Sequence, residues 1–200
     1  MEAGPASNAD VLVRLEDGPL RHVRSTLLCS SIAELRTRGL FDRYVTLLSK
    51  ATADTLVPGV AATWLPVAIA MEHYDACEQL SVSADEAYAF GAASATRVQH
   101  AFLKTFVAVA RGAGAGPLTV LPKYPRLWGR HFSGGNIVVT RAGPKDVLLD
   151  IRDVSLARYA FFRHAYRGAN DAALRMLATT VYVREQRSSA TSLCLRLSWV

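Results

Sequence analysis

The stretch 133-SGGNIVVTRAGPKDVLLDI-151 marks the point where the hydrophobic pattern of this chain changes from helical to strand-like. Before the two glycines, apolar residues recur three or four positions apart, as they do on one face of a helix. After them, residues 137–140 and 147–151 each predict a β-strand, and the Gly143-Pro144 pair between them predicts a turn. The stretch therefore predicts a helical part followed by a sheet that begins with an antiparallel hairpin.

The chain after this hairpin predicts one helix and two further strands. Asp153 or Ser155 can cap the helix, residues 180–184 predict a third strand, and residues 193–199 alternate as a fourth. The order β-β-α-β-β predicts a four-stranded, largely antiparallel sheet with helices on one face, so the fold class is α+β. One face of the helix carries apolar or small residues: Tyr159, Phe162, Tyr166, Ala169, Ala173 and Leu177.

The longest predicted helix begins at a capping box, in which a serine oxygen accepts from a free backbone N–H and a glutamate reaches back. Ser83 and Glu86 have the required spacing, and the helical pattern continues to Arg111. A stripe of small residues at a spacing of four either lets a second helix approach closely or leaves room for a ligand. The stripe consists of Ala87, Gly91 and Ala95.

Half of the 200 residues are hydrophobic, which is enough to build one domain around a substantial core. Residues 1–20 are predicted to be a flexible tail. The remainder, residues 21–200, is predicted to be a single α+β domain with a helical part over 21–132 and a sheet part over 133–200.

Charge and cysteine content narrow the class of partner and the compartment. The net charge of +6 comes mainly from arginines that are scattered singly, whereas nucleic-acid binding favours clustered basic residues, so we expect no nucleic-acid partner.

Three widely separated cysteines, Cys29, Cys77 and Cys194, predict a reducing, cytoplasmic compartment. The most apolar stretch, residues 57–71, is shorter than the ~20 residues that a bilayer requires, so we expect no membrane span.

No arrangement of residues in the sequence predicts catalysis. The chain lacks a nucleophile elbow, a zinc-protease helix and a dinucleotide fingerprint, so we predict that it is not an enzyme and has no catalytic residues. His73 and Cys77 are four residues apart on a predicted helix, but a structural zinc site needs four ligands, so we predict neither a metal nor another cofactor. His100 could be an axial haem ligand or a partly buried helix histidine with a hydrogen-bond partner.

Aromatic residues precede the glycine pair at helical spacing. Tyr124, Trp128 and Phe132 predict one aromatic face of a short helix that ends at residues 133–135. Arg126 and Arg130 lie between them. This segment is interpreted as a core helix with a basic outer face, and the alternative is a rim where an anionic or aromatic ligand docks.

The segments 38-RGLFDRYVTLLSKA-51, 90-FGAASATRVQHAFLKTF-106 and 121-LPKYPRLWGRHFSGGNIVVTRAGPKDVLLDIRDV-154, with the ending 195-LRLSW-199, carry a resemblance. Together they are similar to a myxobacterial paralogous family of proteins without an established function.

The closing arrangement of strands and helix also resembles, more remotely, a ligand-sensing superfamily. That superfamily includes vinyl-reductase-type domains, trafficking-complex subunits and haem nitric-oxide-binding domains. The resemblance implies dimerisation and an apolar pocket. Its haem-binding members grip the propionates with a Tyr-x-Ser-x-Arg motif, which 151-IRDVSLARY-159 does not match.

Three hypotheses about function follow. The first is a non-enzymatic sensor or adaptor that binds a small hydrophobic ligand, between the long helix and the sheet, or a partner protein. The second is a purely structural homodimer or complex subunit without a ligand, and the third is a haem-binding sensor. The candidate ligand-binding residues for the first are Trp64, Phe90, Gly91, Phe102, Phe106, Trp128 and Tyr159.

Overall fold

The computed structural model describes residues 10–59, 62–99 and 116–200. Helices dominate the first two ranges, and the last contains helices and strands in similar measure. The described helices are α1 (Ser25–Thr37), α2 (Phe41–Thr46), α3 (Lys50–Leu56), α4 (Val67–Gln79), α5 (Ala84–Gln99), α6 (Pro117–Val120), α7 (Tyr124–Trp128) and α8 (Ala160–Arg175).

The main sheet is antiparallel throughout and has the strand order β1-β5-β6-β8-β7. Its members are β1 (Val11–Leu15), β5 (Asn136–Gly143), β6 (Asp146–Arg152), β7 (Val181–Ser188) and β8 (Ser192–Trp199). The α+β class and the β-β-α-β-β order are confirmed. The predicted number of four strands is wrong, because β1 adds a fifth along the edge of β5.

Strand β1 also corrects the predicted tail, since it lies within residues 1–20. It pairs with β5 in a register that places Leu15 opposite Ile137. A five-residue strand of this kind is stabilised by the neighbouring edge rather than by its own sequence, because an isolated strand pair is at best marginal in water. Its position in the fold therefore depends on tertiary structure.

A second, smaller sheet lies within the part of the chain that was predicted to be helical. It has the order β3-β2-β4 and consists of β2 (His22–Arg24), β3 (Trp64–Pro66) and β4 (Phe132–Ser133). Strands of two or three residues are too short to show a period of two in the sequence. The predicted aromatic helix is thus wrong at its end: α7 stops at Trp128, and Phe132 lies in β4.

The glycine pair after β4 makes the turn into the main sheet. Gly134 and Gly135 have φ angles of 92° and 89°, which other residues rarely adopt. A Cβ on Gly134 would lie 2.1 Å from the carbonyl oxygen of Pro19. Glycine is therefore favoured at both positions by the positive φ angle. At Gly134 it is also required because the segment before β2 passes too close for a Cβ.

One continuous core joins the helices to the inner face of the sheet, as expected from the sequence. Ile137, Leu149 and Leu195 from the sheet belong to the same buried cluster as Leu28 of α1 and Phe162 of α8. The capping box at the start of α5 is confirmed, because the backbone N–H of Glu86 donates to Ser83 Oγ and Glu86 accepts from the Ser83 N–H.

Helices α5 and α8 cross with their backbones in contact. A Cβ on Gly91 would lie 1.8 Å from the carbonyl oxygen of Ala165, and one on Gly168 would lie 1.9 Å from that of Tyr88. Only a residue without a Cβ permits such an approach, so each helix contributes one glycine to the crossing. The small-residue stripe of α5 is therefore a helix-packing surface.

We expect Gly91→Ala to destabilise the protein by about 1–3 kcal/mol, since the added methyl group meets backbone atoms and the helices must separate. Urea denaturation followed by circular dichroism measures the change. The control is Gly143→Ala, whose added Cβ would make an ordinary contact at 3.4 Å with Asp146. Equal stability of the two variants would show that the crossing is not constrained as described.

Candidate functional site

A cavity of about 160 Å³ lies between α1, α5, α7 and α8. Its wall is mainly aromatic and alanine side chains, and none of the lining residues in the described ranges is Asp, Glu, Lys or Arg. The aromatic residues of the wall are Tyr74, Phe90, Tyr124, Trp128, Phe132, Phe161, Phe162 and Tyr166. A concave, mainly apolar lining with few polar groups is typical of small-molecule sites.

The structure brings together three of the residues predicted to bind a ligand. Phe90, Gly91 and Trp128 line the cavity. Trp64 does not: its side chain is 39% exposed, with the Arg24 guanidinium 5.1 Å from the ring centre. Its place in β3, at the edge of the small sheet, turns it to the surface.

The other predicted residues are not part of the described site. Tyr159 is half-buried just before α8 and is not among the residues that line the cavity, because the cavity-lining face of α8 begins at Phe161. Phe102 and Phe106 lie outside the described residues, as does His100.

The sequence did not predict a hydrogen-bonded group at the cavity wall, formed by Tyr124, Tyr166 and Asn170. The hydroxyl of Tyr124 in α7 donates to Asn170 Oδ1 at 3.0 Å and contacts the hydroxyl of Tyr166. Burial raises the pKa of Tyr124 to about 12, so its hydroxyl keeps its proton. Tyr166 and Asn170 are four residues apart on α8, which the sequence shows, but nothing in it indicates that Tyr124 reaches them.

Two polar atoms at the cavity have no hydrogen-bond partner within the described ranges. They are Ser94 Oγ on α5 and Nδ1 of His131, which lies between α7 and β4. Ser94 is 7% exposed. Burial, helped by the charge of Arg130, lowers the pKa of His131, so its imidazole is neutral at pH ~7. Buried polar atoms usually have partners, so these two require an explanation.

Ser31, which also lines the cavity, has the geometry of a nucleophile paired with a base. Its Oγ lies 2.9 Å from His73 Nε2, and the hydroxyl of Tyr44 lies 2.7 Å from His73 Nδ1. Burial raises the pKa of Tyr44, so its hydroxyl keeps its proton. Both ring nitrogens of His73 therefore have a neutral hydroxyl as hydrogen-bond partner, and burial lowers the pKa of the imidazole. The three residues hold α1, α2 and α4 together.

The histidine–cysteine pair considered as a metal site belongs to this same network. Cys77 Sγ lies 3.7 Å from His73 Nε2, and burial raises the pKa of the thiol. Within residues 10–59, 62–99 and 116–200, no group of three or more potential ligands is arranged to hold a metal ion. No helix in those ranges is long and apolar enough to cross a membrane.

Comparison with solved structures identifies the fold. A variant of an H-NOX protein from K. algicida, in the unliganded Fe(II) state, matches with a TM-score of 0.64 at 9% identity, over 88% of this chain and 96% of that one. The chain has the fold of H-NOX domains. A structure from work on haem distortion in the H-NOX family matches with a TM-score of 0.57 at 10% identity, over 88% of this chain and 94% of that one. A third, from work on haem redox potential and porphyrin distortion, matches with a TM-score of 0.56 at 10% identity, over 88% of this chain and 99% of that one.

The H-NOX fold confirms the remote resemblance to the haem nitric-oxide-binding domains. The closer resemblance, to a myxobacterial paralogous family, receives no such support, because no family model matches the chain. No curated protein matches it either.

The H-NOX fold raises the question of whether the described residues fit haem. The cavity of about 160 Å³ is smaller than the ~300–1,000 Å³ of sites for drug-sized ligands. The backbone contact at Gly91 and Gly168 also holds α5 and α8 together beside it. In this arrangement the cavity formed by the described residues is too small for haem.

The buried neutral histidine makes stability depend on pH. Burial lowers the pKa of His73 from 6.5 to about 3 in the folded chain. Between these values the unfolded chain takes up a proton that the folded chain does not, so His73 destabilises the fold as the pH falls below its unfolded pKa.

We expect acidification from about pH 7 to about pH 5 to lower the free energy of unfolding by about 2 kcal/mol through His73 alone. Most carboxylates stay ionised in this window. Urea denaturation at each pH measures the slope, and His73→Gln is expected to show a shallower one. Identical slopes for the variant and the wild type would contradict the assignment.

Proposed function

We propose that this chain is a non-enzymatic sensor domain that binds one small molecule in the cavity between α1, α5, α7 and α8. The observation that carries the proposal is the cavity itself, lined by aromatic side chains from separate elements of an H-NOX fold.

The position of the cavity gives ligand binding a means of acting on the fold. Leu27 of α1, Ala95 of α5, Leu127 of α7 and Ala169 of α8 all contribute to its wall, so a ligand would contact all four helices at once. The hydrogen bond from Tyr124 to Asn170 links α7 to α8 at the same wall. A ligand that favours one spacing of these helices would shift the population toward it.

The matched variants Ala169→Leu and Ala172→Leu test this proposal. Both enlarge an alanine of α8, but only Ala169 lines the cavity. Native mass spectrometry of protein purified from its own host should show a bound small molecule in the wild type and in Ala172→Leu, and none in Ala169→Leu. Added ligand at 100 times its dissociation constant should stabilise the two binding forms by about 2.7 kcal/mol. Loss of the bound mass in both variants, or in neither, would count against the cavity as the site.

Haem is the second candidate, and the comparisons favour it over a partner-protein adaptor. Two of the matching structures come from work on haem, and all three align with 88% of this chain. Haem would supply an iron centre with a position for a further ligand. Of the histidines in the described ranges, His131 lines the cavity.

Haem titration followed by absorbance tests this candidate. A Soret band at one haem per chain is expected if haem binds, and comparing His131→Ala with His100→Ala identifies the axial ligand. No Soret band at any haem concentration would remove haem and leave the small-molecule proposal unchanged.

A further inference from the structure

The volume of the cavity limits the size of its ligand. At about 160 Å³ it is close to the ~150 Å³ of an engineered apolar cavity in another protein that binds benzene. One six-membered ring with a small substituent fills such a space.

The wall of the cavity favours a flat aromatic ligand. Phe90 and Phe161 meet edge to face with ring centres 5.1 Å apart, and Trp128 and Tyr166 do so at 6.1 Å. All four rings border the cavity. Aromatic rings attract a further ring through edge-to-face and offset contacts, so the lining selects for shape as well as for apolar character.

Charge at the cavity excludes an ionised ligand. The lining residues in the described ranges include no carboxylate, ammonium or guanidinium group, and the imidazole of His131 is neutral. An ion without a counter-charge loses its hydration on entry and gains nothing comparable. The ligand is therefore neutral when bound.

Ser94 and His131 indicate which polar group the ligand carries. Their side-chain atoms Oγ and Nδ1 are buried at the cavity without a partner in the part of the chain that the structure describes. A serine hydroxyl can donate or accept, and Nδ1 of a neutral imidazole does one or the other according to its tautomer. A hydroxyl on the ligand can satisfy either arrangement.

We infer that the cavity binds a neutral single-ring aromatic alcohol of the phenol class, with its ring between Phe90, Phe161 and Trp128 and its hydroxyl bonded to Ser94 and His131. This inference rests on the proposed small-molecule function and names its ligand class. It assigns Ser94 and His131 as residues that determine specificity, because a bound ligand supplies the hydrogen-bond partner of Ser94 Oγ and His131 Nδ1.

Calorimetric titration with phenol, benzene and benzoate tests the inference. Phenol is expected to bind about tenfold more tightly than benzene, which lacks the hydroxyl, and benzoate is expected not to bind, because it is charged. Ser94→Ala should weaken phenol binding about five- to tenfold and leave benzene binding unchanged. The control Thr96→Ala, at an exposed position on the same helix, should bind all three as the wild type does.

Stability of the free protein gives a readout that does not depend on binding. Ser94→Ala removes a buried hydroxyl without a partner, so its melting temperature without ligand should equal or exceed that of the wild type. A lower melting temperature would mean that the hydroxyl is bonded within the protein and would overturn its assignment to a ligand. His131→Leu removes Nδ1, the other unpartnered atom, and should likewise weaken the binding of phenol relative to benzene.

The outcomes separate this inference from the proposed function. Equal affinity for phenol and benzene, with no effect of Ser94→Ala, would overturn the phenol assignment while leaving a small-molecule cavity in place. Failure of both compounds to bind would also overturn it. If the host-purified protein still carried another bound mass that Ala169→Leu removes, the proposed function would stand.

Discussion

The backbone contact between α5 and α8 is the constraint on which the rest of the structure depends. Gly91 meets the carbonyl of Ala165, and Gly168 meets that of Tyr88, at distances that no side chain allows. Helix α8 in turn packs against β7 of the main sheet, so the crossing fixes the distance between the helical part and the sheet part. The core is continuous because this distance is short.

The same crossing determines the size of the cavity beside it. Gly91, Ala95, Ala165, Ala169 and Ala173 line it, so the residues that bring the helices together also leave space next to their contact. The volume that remains suits one ring rather than a macrocycle. In this chain, therefore, the H-NOX fold contains a cavity whose volume among the described residues is smaller than haem needs.

Two histidines of this protein differ in how their ring nitrogens are satisfied. His73 is fully buried, and both its ring nitrogens have partners, Ser31 and Tyr44, so that the three residues hold three helices together. Ser94 is buried and His131 is half-buried at the cavity, and Ser94 Oγ and His131 Nδ1 lack partners among the described residues. An unpaired buried polar atom costs free energy. A polar ligand in the cavity, as proposed, would offset that cost at Ser94 and His131.

The sequence by itself determined the fold class, the strands of the β-β-α-β-β unit and the capping box of α5, because these follow from local periodicity and from residues a few positions apart. It also indicated Phe90, Gly91 and Trp128, whose apolar or small character at helical spacing is visible without a structure. Strand β1, the small sheet and the place of Trp64 at the surface depended on pairing between distant segments, which a period of two or three residues cannot show. The site was likewise decided by tertiary structure. Tyr124 meets Asn170, and Ser94 and His131 border one cavity, only because α5, α7 and α8 converge around the glycine crossing.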